Sequence, residues 1–286
     1  MAYGDQPALT CELVEWARAC GFDVAAAGKG TKYLASFHTS TPDTVWEHYG
    51  LTQEQATEAG MNSQMFNSFL DGTKSALEMA AVANSTNLTP APEGLTFPPA
   101  GVDELAQILR PKNEGGCLHH KGQVEVVSSL KRNGSAVFRD LRWGVYVVLE
   151  AANDYTAACF HEYGMNTDES GRYSAMYKPF HLIGLEVNIS ILSAAIKNIP
   201  TGSNKEFVGD VIATAKRDLK AGEILDGEGG FTIYGTLMSS SKSLQIKGLP
   251  IGLSENVKLK EPIPKGQFIC WGHVETGQNS IAFRLR

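Results

Sequence analysis

Residues 65–83 carry the constraint that most limits how this chain can fold. Phe69, Leu70, Ala76, Leu77, Met79, Ala80 and Ala83 recur around most of a helical circumference. The spacing therefore predicts one helix lacking the broad polar face of a surface helix. Asp71, Lys74 and Glu78 stand at i, i+3 and i+7, on a single stripe of that helix. An ionised group is costly to bury without a partner, so two carboxylates and an ammonium on a buried helix predict the wall of a polar pocket. A ladder of structural ion pairs with no ligand accounts for the same residues.

The chain has 286 residues and 43% hydrophobic content, enough for a sizeable core and for two domains. A formal net charge of −6 without a long basic run leaves no footprint for nucleic acid. No apolar run reaches the roughly 18 residues of a membrane span. Residues 1–5 have neither the basic start nor the apolar run of a signal peptide, so the cytoplasm is the expected compartment. Cys11, Cys20, Cys117, Cys159 and Cys270 show no C-x-x-C pairing. They read as reduced thiols, buried as small apolar residues, with one catalytic thiol the minor alternative.

Asp5 offers an N-cap and Pro7 an early-turn proline, and Leu9, Leu13, Trp16 and Ala17 recur at helical spacing until Gly21. A strand over 22–27 follows and runs into a turn at Gly28-Lys29-Gly30. Helix, strand and glycine turn form the closing piece of a doubly wound α/β domain, yet no G-x-G-x-x-G stands between a strand and a helix. Residues 1–30 are therefore expected to be the C-terminal remnant of a Rossmann-type nucleotide-binding domain, with the chain opening in mid-domain. Residues 31–204 read as an α+β catalytic or oligomerisation domain, a sheet packed on helices. It has a short helix near 104–109, strands near 124–130, 136–138 and 143–149, and an apolar helix from about 186 to 196. Residues 205–286 read as a small all-β module with strands near 211–215, 231–234 and 268–271. Within it, 216–225 is echoed by 258–269, through internal duplication or through turn chemistry alone. The fold class is α+β.

The two echoing turns, with Leu249-Pro250-Ile251-Gly252-Leu253 between them, resemble the SAF domain, a β-clip module of sialic acid synthases, antifreeze proteins and flagellar P-ring assembly proteins. Four earlier stretches are similar to bacterial oxidoreductases related to homoserine dehydrogenase. They are Ala2-Tyr3-Gly4-Asp5-Gln6-Pro7, Ala26-Ala27-Gly28-Lys29-Gly30, Phe66-Asn67-Ser68-Phe69-Leu70-Asp71-Gly72-Thr73-Lys74 and Tyr177-Lys178-Pro179-Phe180-His181-Leu182-Ile183-Gly184-Leu185-Glu186. Within that group the deoxyxylulose-phosphate-reductoisomerase-like enzymes are the nearest match. The resemblance implies NADPH or NADH as cofactor, held mainly by a Rossmann domain ahead of the present segment, and a small polyhydroxylated carbonyl substrate with or without a phosphate. It places Lys29 beside the nicotinamide, with Gly4, Asp5 and Gly28 as further cofactor contacts. It also assigns Asp71 and Lys74 to the substrate, although the family spacing is i, i+4 and here it is i, i+3.

Reducing a ketone by hydride transfer develops negative charge on oxygen, which an ammonium or its proton stabilises. Lys74 is the expected donor, Asp71 the residue that orients it, and Glu78 an acceptor for a substrate hydroxyl. An isomerising reductase gains from a metal that polarises adjacent oxygens, and Asp71, Glu78 and Glu186 are hard ligands of the kind Mg²⁺ or Mn²⁺ takes. Lys178, His181 and Glu186 form a second group at the entry to the apolar helix. They could hold a substrate anion there, or cap and pack the helix. Asn62 and Asn67 are either substrate contacts or helix caps. His119-His120 reads as an exposed loop rather than a metal pair, and Lys32 as facing solvent or phosphate. The expected partners are the small-molecule substrate and either a second copy or a separate Rossmann-domain chain, with no nucleic acid and no membrane. A reading of a different class is a non-catalytic SAF-domain protein that binds a carbohydrate or a partner.

Overall fold

The computed structural model describes residues 1–275 and 281–285. In chain order the elements are α1 (Gln6–Ala19), β1 (Asp23–Thr31), α2 (Val45–Tyr49), α3 (Gln53–Glu58), α4 (Ser63–Leu70), α5 (Thr73–Thr86), α6 (Leu105–Ile108), β2 (Gln123–Ser128), β3 (Val145–Glu150), α7 (Asp154–Glu162), β4 (Tyr173–Lys178), α8 (Asn188–Leu192), β5 (Gly209–Ala215), β6 (Ile233–Ser239), α9 (Ser240–Ile246) and α10 (Ile281–Leu285). The class is α+β, as the sequence predicts. The chain folds as two compact units, each discontinuous in sequence: Met1–Leu34 with Glu78–Gly209, and Ala35–Leu77 with Asp210–Arg286. Residues 35–77 thus group with the C-terminal segment, and residues 1–30 are woven into the first unit.

The first unit is built on a four-stranded mixed sheet in the order β2-β1-β3-β4. β1 pairs parallel with β2 and antiparallel with β3, and β3 pairs antiparallel with β4. Asp5 caps α1 by accepting the Gln6 N–H, and Pro7 lies in its first turn. Leu9 of α1 packs with Val145 and Tyr3. A larger apolar cluster joins Ala26, Tyr146 and Val148 to Leu105, Leu109 and Leu118. Gly28 and Gly30 do not make the expected turn, because β1 continues through them to Thr31. A Cβ at Gly28 would lie 1.8 Å from the Glu125 carbonyl oxygen, and one at Gly30 would lie 1.9 Å from that of Leu141. These glycines permit close backbone approach rather than a reversal.

Two further expectations change in this unit. Residues 136–138 contribute only an isolated bridge to Leu130, whereas Tyr173–Lys178, whose last residues were expected to lead into a helix, forms β4. The apolar run beyond Glu186 gives the five-residue α8 and one wide turn over Ser193–Lys197, with Ile189, Ile191, Leu192 and Ile196 exposed.

The second unit contains α2, α3, α4, the opening residues of α5 and the C-terminal segment. The helix predicted over 65–83 is broken here. Asp71 is the C-cap of α4, Gly72 adopts φ +90°, and α5 starts at Thr73. The break resets the helical phase, so Asp71 does not share a stripe with Lys74 and Glu78, which remain four residues apart on α5. The C-terminal segment is not all-β: β5 and β6 pair as a two-stranded sheet and α9 follows directly. The two echoing turn segments bridge each other antiparallel at Leu219 with Ile263 and at Ile224 with Lys258. No described helix is long and apolar enough to cross a membrane.

Candidate active-site residues

Lys29 lies in the buried stretch of β1, and its ammonium makes an ion pair with Glu78 within the first unit. Both side chains are less than 10% exposed, at 7% and 5%. Strand and helix thus each contribute one buried charge, and the two charges neutralise each other. Lys32, just beyond the end of β1, is half-buried; burial and the nearby Arg142 charge push its ammonium pKa down.

Asp71 is fully buried in the second unit and meets Lys216, not Lys74. Lys216 Nζ lies 2.8 Å from Asp71 Oδ2. The same ammonium donates to the carbonyl oxygens of Ser40 at 2.8 Å and Gly230 at 2.6 Å, so three acceptors surround it. Asp71 Oδ1 accepts the Thr73 N–H at 2.8 Å, which fixes the carboxylate where α5 begins. Burial pushes the Asp71 carboxyl above its ordinary range, opposed chiefly by the Lys216 charge. His38 Nδ1 donates to the Asp71 carbonyl oxygen at 2.7 Å, and its ring stacks on Tyr234 with centroids 4.4 Å apart. Burial lowers the His38 pKa and raises that of Tyr234.

Sequence reasoning missed Lys216, His38 and Tyr234. A signal for Lys216 was present, since it directly follows the apolar strand run Val211-Ile212-Ala213-Thr214-Ala215 just as Lys29 follows Ala25-Ala26-Ala27 across one glycine. His38 and Tyr234 had no comparable local pattern.

Other expected site residues have structural duties. Asn62 is an exposed N-cap, its side chain accepting the Met65 N–H at 2.9 Å. Asn67 is buried; its Nδ2 donates to Ser40 and Gly229 carbonyls, and its Oδ1 accepts from Ser40 Oγ at 2.6 Å. Asn67 is engaged at both ends of its amide, and Asn62 caps α4 through its oxygen. Asp5 caps α1, and a Cβ on Gly4 would fall 2.6 Å from the Leu182 carbonyl oxygen, so close packing accounts for that glycine. Gly28 is likewise explained by strand approach. Lys178 pairs with Glu186, and Glu186 also accepts the Leu182 N–H at 3.0 Å. His181 Nδ1 donates to the Trp143 carbonyl oxygen at 2.6 Å. α8 begins only at Asn188, so this group does not line a helix N-terminus, and its cation is already engaged.

The expected metal ligands do not fit a cation. Asp71, Glu78 and Glu186 are each paired with a lysine. Among the described residues no group of three His, Cys, Asp or Glu side chains could hold a metal ion. All five cysteines are free thiols. His119 and His120 face each other at 3.1 Å between their Nδ1 atoms, with Thr89 Oγ1 on the other side of His120. A cavity of about 610 Å³ in the first unit is lined by Arg18, Asp23, Lys121, Glu150 and Arg172 among others, and by none of the expected catalytic residues. It meets β1 at Asp23 and Val24, the nearer of them five residues and roughly 16 Å of strand before Lys29.

Residues 4–187, more than half of the chain, match the family model described as Oxidoreductase DRL, catalytic domain. The chain belongs to that family. No curated protein matches it. The DRL segment includes Lys29, Asp71, Lys74 and Glu78, but it ends before Lys216. The buried pair of the second unit therefore joins a residue of the DRL segment to one outside it.

Proposed function

We propose that this DRL oxidoreductase domain is the catalytic and C-terminal portion of an NAD(P)H-dependent reductase acting on a small polyhydroxylated carbonyl compound. The observation that carries the reading is the buried ion pair of Lys29 with Glu78, inside the family segment. A bound reduced nicotinamide would supply the hydride. The chain's own task is to meet the charge that then appears on the carbonyl oxygen. An ammonium held in place in a water-poor setting does so with little reorganisation. In this reading Lys29 stabilises the alkoxide and gives it a proton, Glu78 orients Lys29, and bulk solvent returns a proton to the amine after product leaves. Asp71 and Lys74, expected at the substrate, belong to the second unit, and this reading gives them no step at the Lys29 carbonyl.

The sequence holds no dinucleotide fingerprint between a strand and a helix, so the reading assigns the nucleotide to a Rossmann domain on another segment or chain. A homo-oligomer is the other association proposed, and a solution mass measurement reads it. The SAF-like character of the C-terminal segment is part of the same proposal.

The test titrates NADPH and NADH against the chain alone, then against the chain mixed with a Rossmann fragment from a longer relative, with a panel of small hydroxy-ketones. Hydride transfer is expected in the second mixture. Replacing both Lys29 and Glu78 by Met removes the pair without stranding either charge, so the fold should persist. Turnover should fall by about 10²–10⁴-fold. Wild-type turnover in that double variant, or no nucleotide binding in either mixture, would overturn the reading.

A further inference from the structure

Two adjacent histidines stand on the segment between α6 and β2, outside the proposed reductase chemistry. His119 Nδ1 and His120 Nδ1 lie 3.1 Å apart, with His119 exposed and His120 half-buried. The rings meet edge to face, their centroids 5.3 Å apart. We propose that these two nitrogens chelate a divalent transition-metal ion that favours imidazole, such as Ni²⁺, Cu²⁺ or Zn²⁺, with water in its remaining positions.

The spacing suits a chelate. Imidazole nitrogens bind such ions at about 2.0–2.1 Å, so two of them 3.1 Å apart meet at the metal at about 100°. That angle falls between the octahedral and tetrahedral values. In the neutral pair one proton occupies the gap, as the hydrogen bond between the two Nδ1 atoms requires. The metal takes that proton's place, and the proton moves through solvent to Nε2 of the ring that held it. For His120 the Nε2 position is prepared, because Thr89 Oγ1 stands 2.5 Å away to accept the N–H. A metal-binding imidazole nearly always gives its other N–H to such a partner, which fixes the ring and its tautomer.

The backbone around the pair is held before any metal arrives. His119 N–H donates to Gln123 Oε1 at 3.0 Å, Gly122 N–H to the Ala25 carbonyl oxygen at 2.8 Å, and Thr89 N–H to the Gly122 carbonyl oxygen at 2.8 Å. Lys121, the next cation in the chain, is neutralised by Glu150 at 2.6 Å and Glu114 at 3.1 Å, so it opposes a bound dication only weakly. Two neutral imidazoles select a softer ion than the Mg²⁺ or Mn²⁺ expected at the carboxylates, since those take oxygen ligands. Thr89, Lys121 and Gly122 also line the cavity of about 610 Å³, so the metal would brace one wall of it. All of these residues belong to the first unit. Binding here needs neither nucleotide nor carbonyl substrate, so it stands or falls apart from the reductase reading.

The experiment is calorimetric titration of the untagged full chain with Ni²⁺ and, separately, Mg²⁺. It is repeated on His119→Gln, His120→Gln, Thr89→Val, Thr89→Ser and, at an exposed histidine elsewhere in the first unit, His161→Gln. One Ni²⁺ per chain should bind most tightly, and Mg²⁺ should not bind there. His119→Gln and His120→Gln should each weaken Ni²⁺ by at least about tenfold, and Thr89→Val by about tenfold, while Thr89→Ser keeps the hydroxyl and should stay near wild type. His161→Gln should have no effect. His119 is exposed, so its variant should keep the thermal midpoint of the metal-free chain. No Ni²⁺ binding, binding undiminished in both histidine variants, equal affinity for Mg²⁺, or a loss caused by His161→Gln would overturn the proposal. Wild-type affinity in Thr89→Val would overturn the part given to Thr89.

Discussion

The two units solve one problem, a lysine charge taken out of water, in different ways. In the first, Lys29 on a strand meets Glu78 on a helix, and Glu78 is its one described partner. In the second, Lys216 meets Asp71 and also satisfies two backbone carbonyls. The first arrangement gives the ammonium one described acceptor, whereas the second gives it three. Burial alone therefore does not fix how a lysine charge is satisfied, because each fold brings its own set of acceptors to the nitrogen.

The sharpest way to break this comparison is to remove each lysine. Lys216→Met strands the Asp71 carboxylate and two carbonyls, and should cost near the top of the range of about 3–5 kcal/mol, measured by urea unfolding. Lys29→Met should fall near the bottom of the same range; the reverse order would contradict the contrast. Next in size is Gly28→Ala, because the new Cβ meets a backbone oxygen that cannot turn aside. It should cost about 1–3 kcal/mol through overpacking, and a neutral result would show that β1 and β2 can separate. Asn62→Ala in the second unit should cost about 1 kcal/mol in the same assay and leave turnover unchanged, as expected of an exposed cap rather than a substrate contact.

The smallest expected effect is a pH dependence. Burial holds the His38 pKa below its ordinary value of 6.5, so the folded chain binds fewer protons than the unfolded chain just below that pH. Its contribution to stability is complete above about pH 6.5 and is lost as pH falls toward the folded value. Urea midpoints measured across that range should decline on acidification, and His38→Gln should flatten the decline. Asp71 works in the opposite sense. With its pKa raised, stability is lost as pH climbs above the usual carboxylate range, until the folded value is passed.

Much of the fold was legible in the chain because its signals are local. The cap and proline around α1, the apolar runs of β2 and β3, and the strand of β5 each lie within a few consecutive residues. The helix predicted over 65–83 failed at Gly72, where one residue at positive φ outweighed a continuous apolar pattern. The apolar run after Glu186 failed too, since composition alone does not say that a segment is covered. Lys29 and Glu78 were both identifiable as individual charges. Asn62 and Asn67 were ambiguous by nature, because a cap and a substrate contact use the same side-chain chemistry.

The sequence by itself determined the α+β class, the placing of charges among apolar residues and the family resemblance, all of which rest on residues near one another in the chain. Only the tertiary structure decided the pairing of charges: Glu78 went to Lys29, 49 residues away, and Asp71 went to a lysine outside the family segment. A buried carboxylate binds whichever cation the completed fold brings within reach. Coulomb attraction follows distance in space, and helical periodicity extends no further than the next glycine.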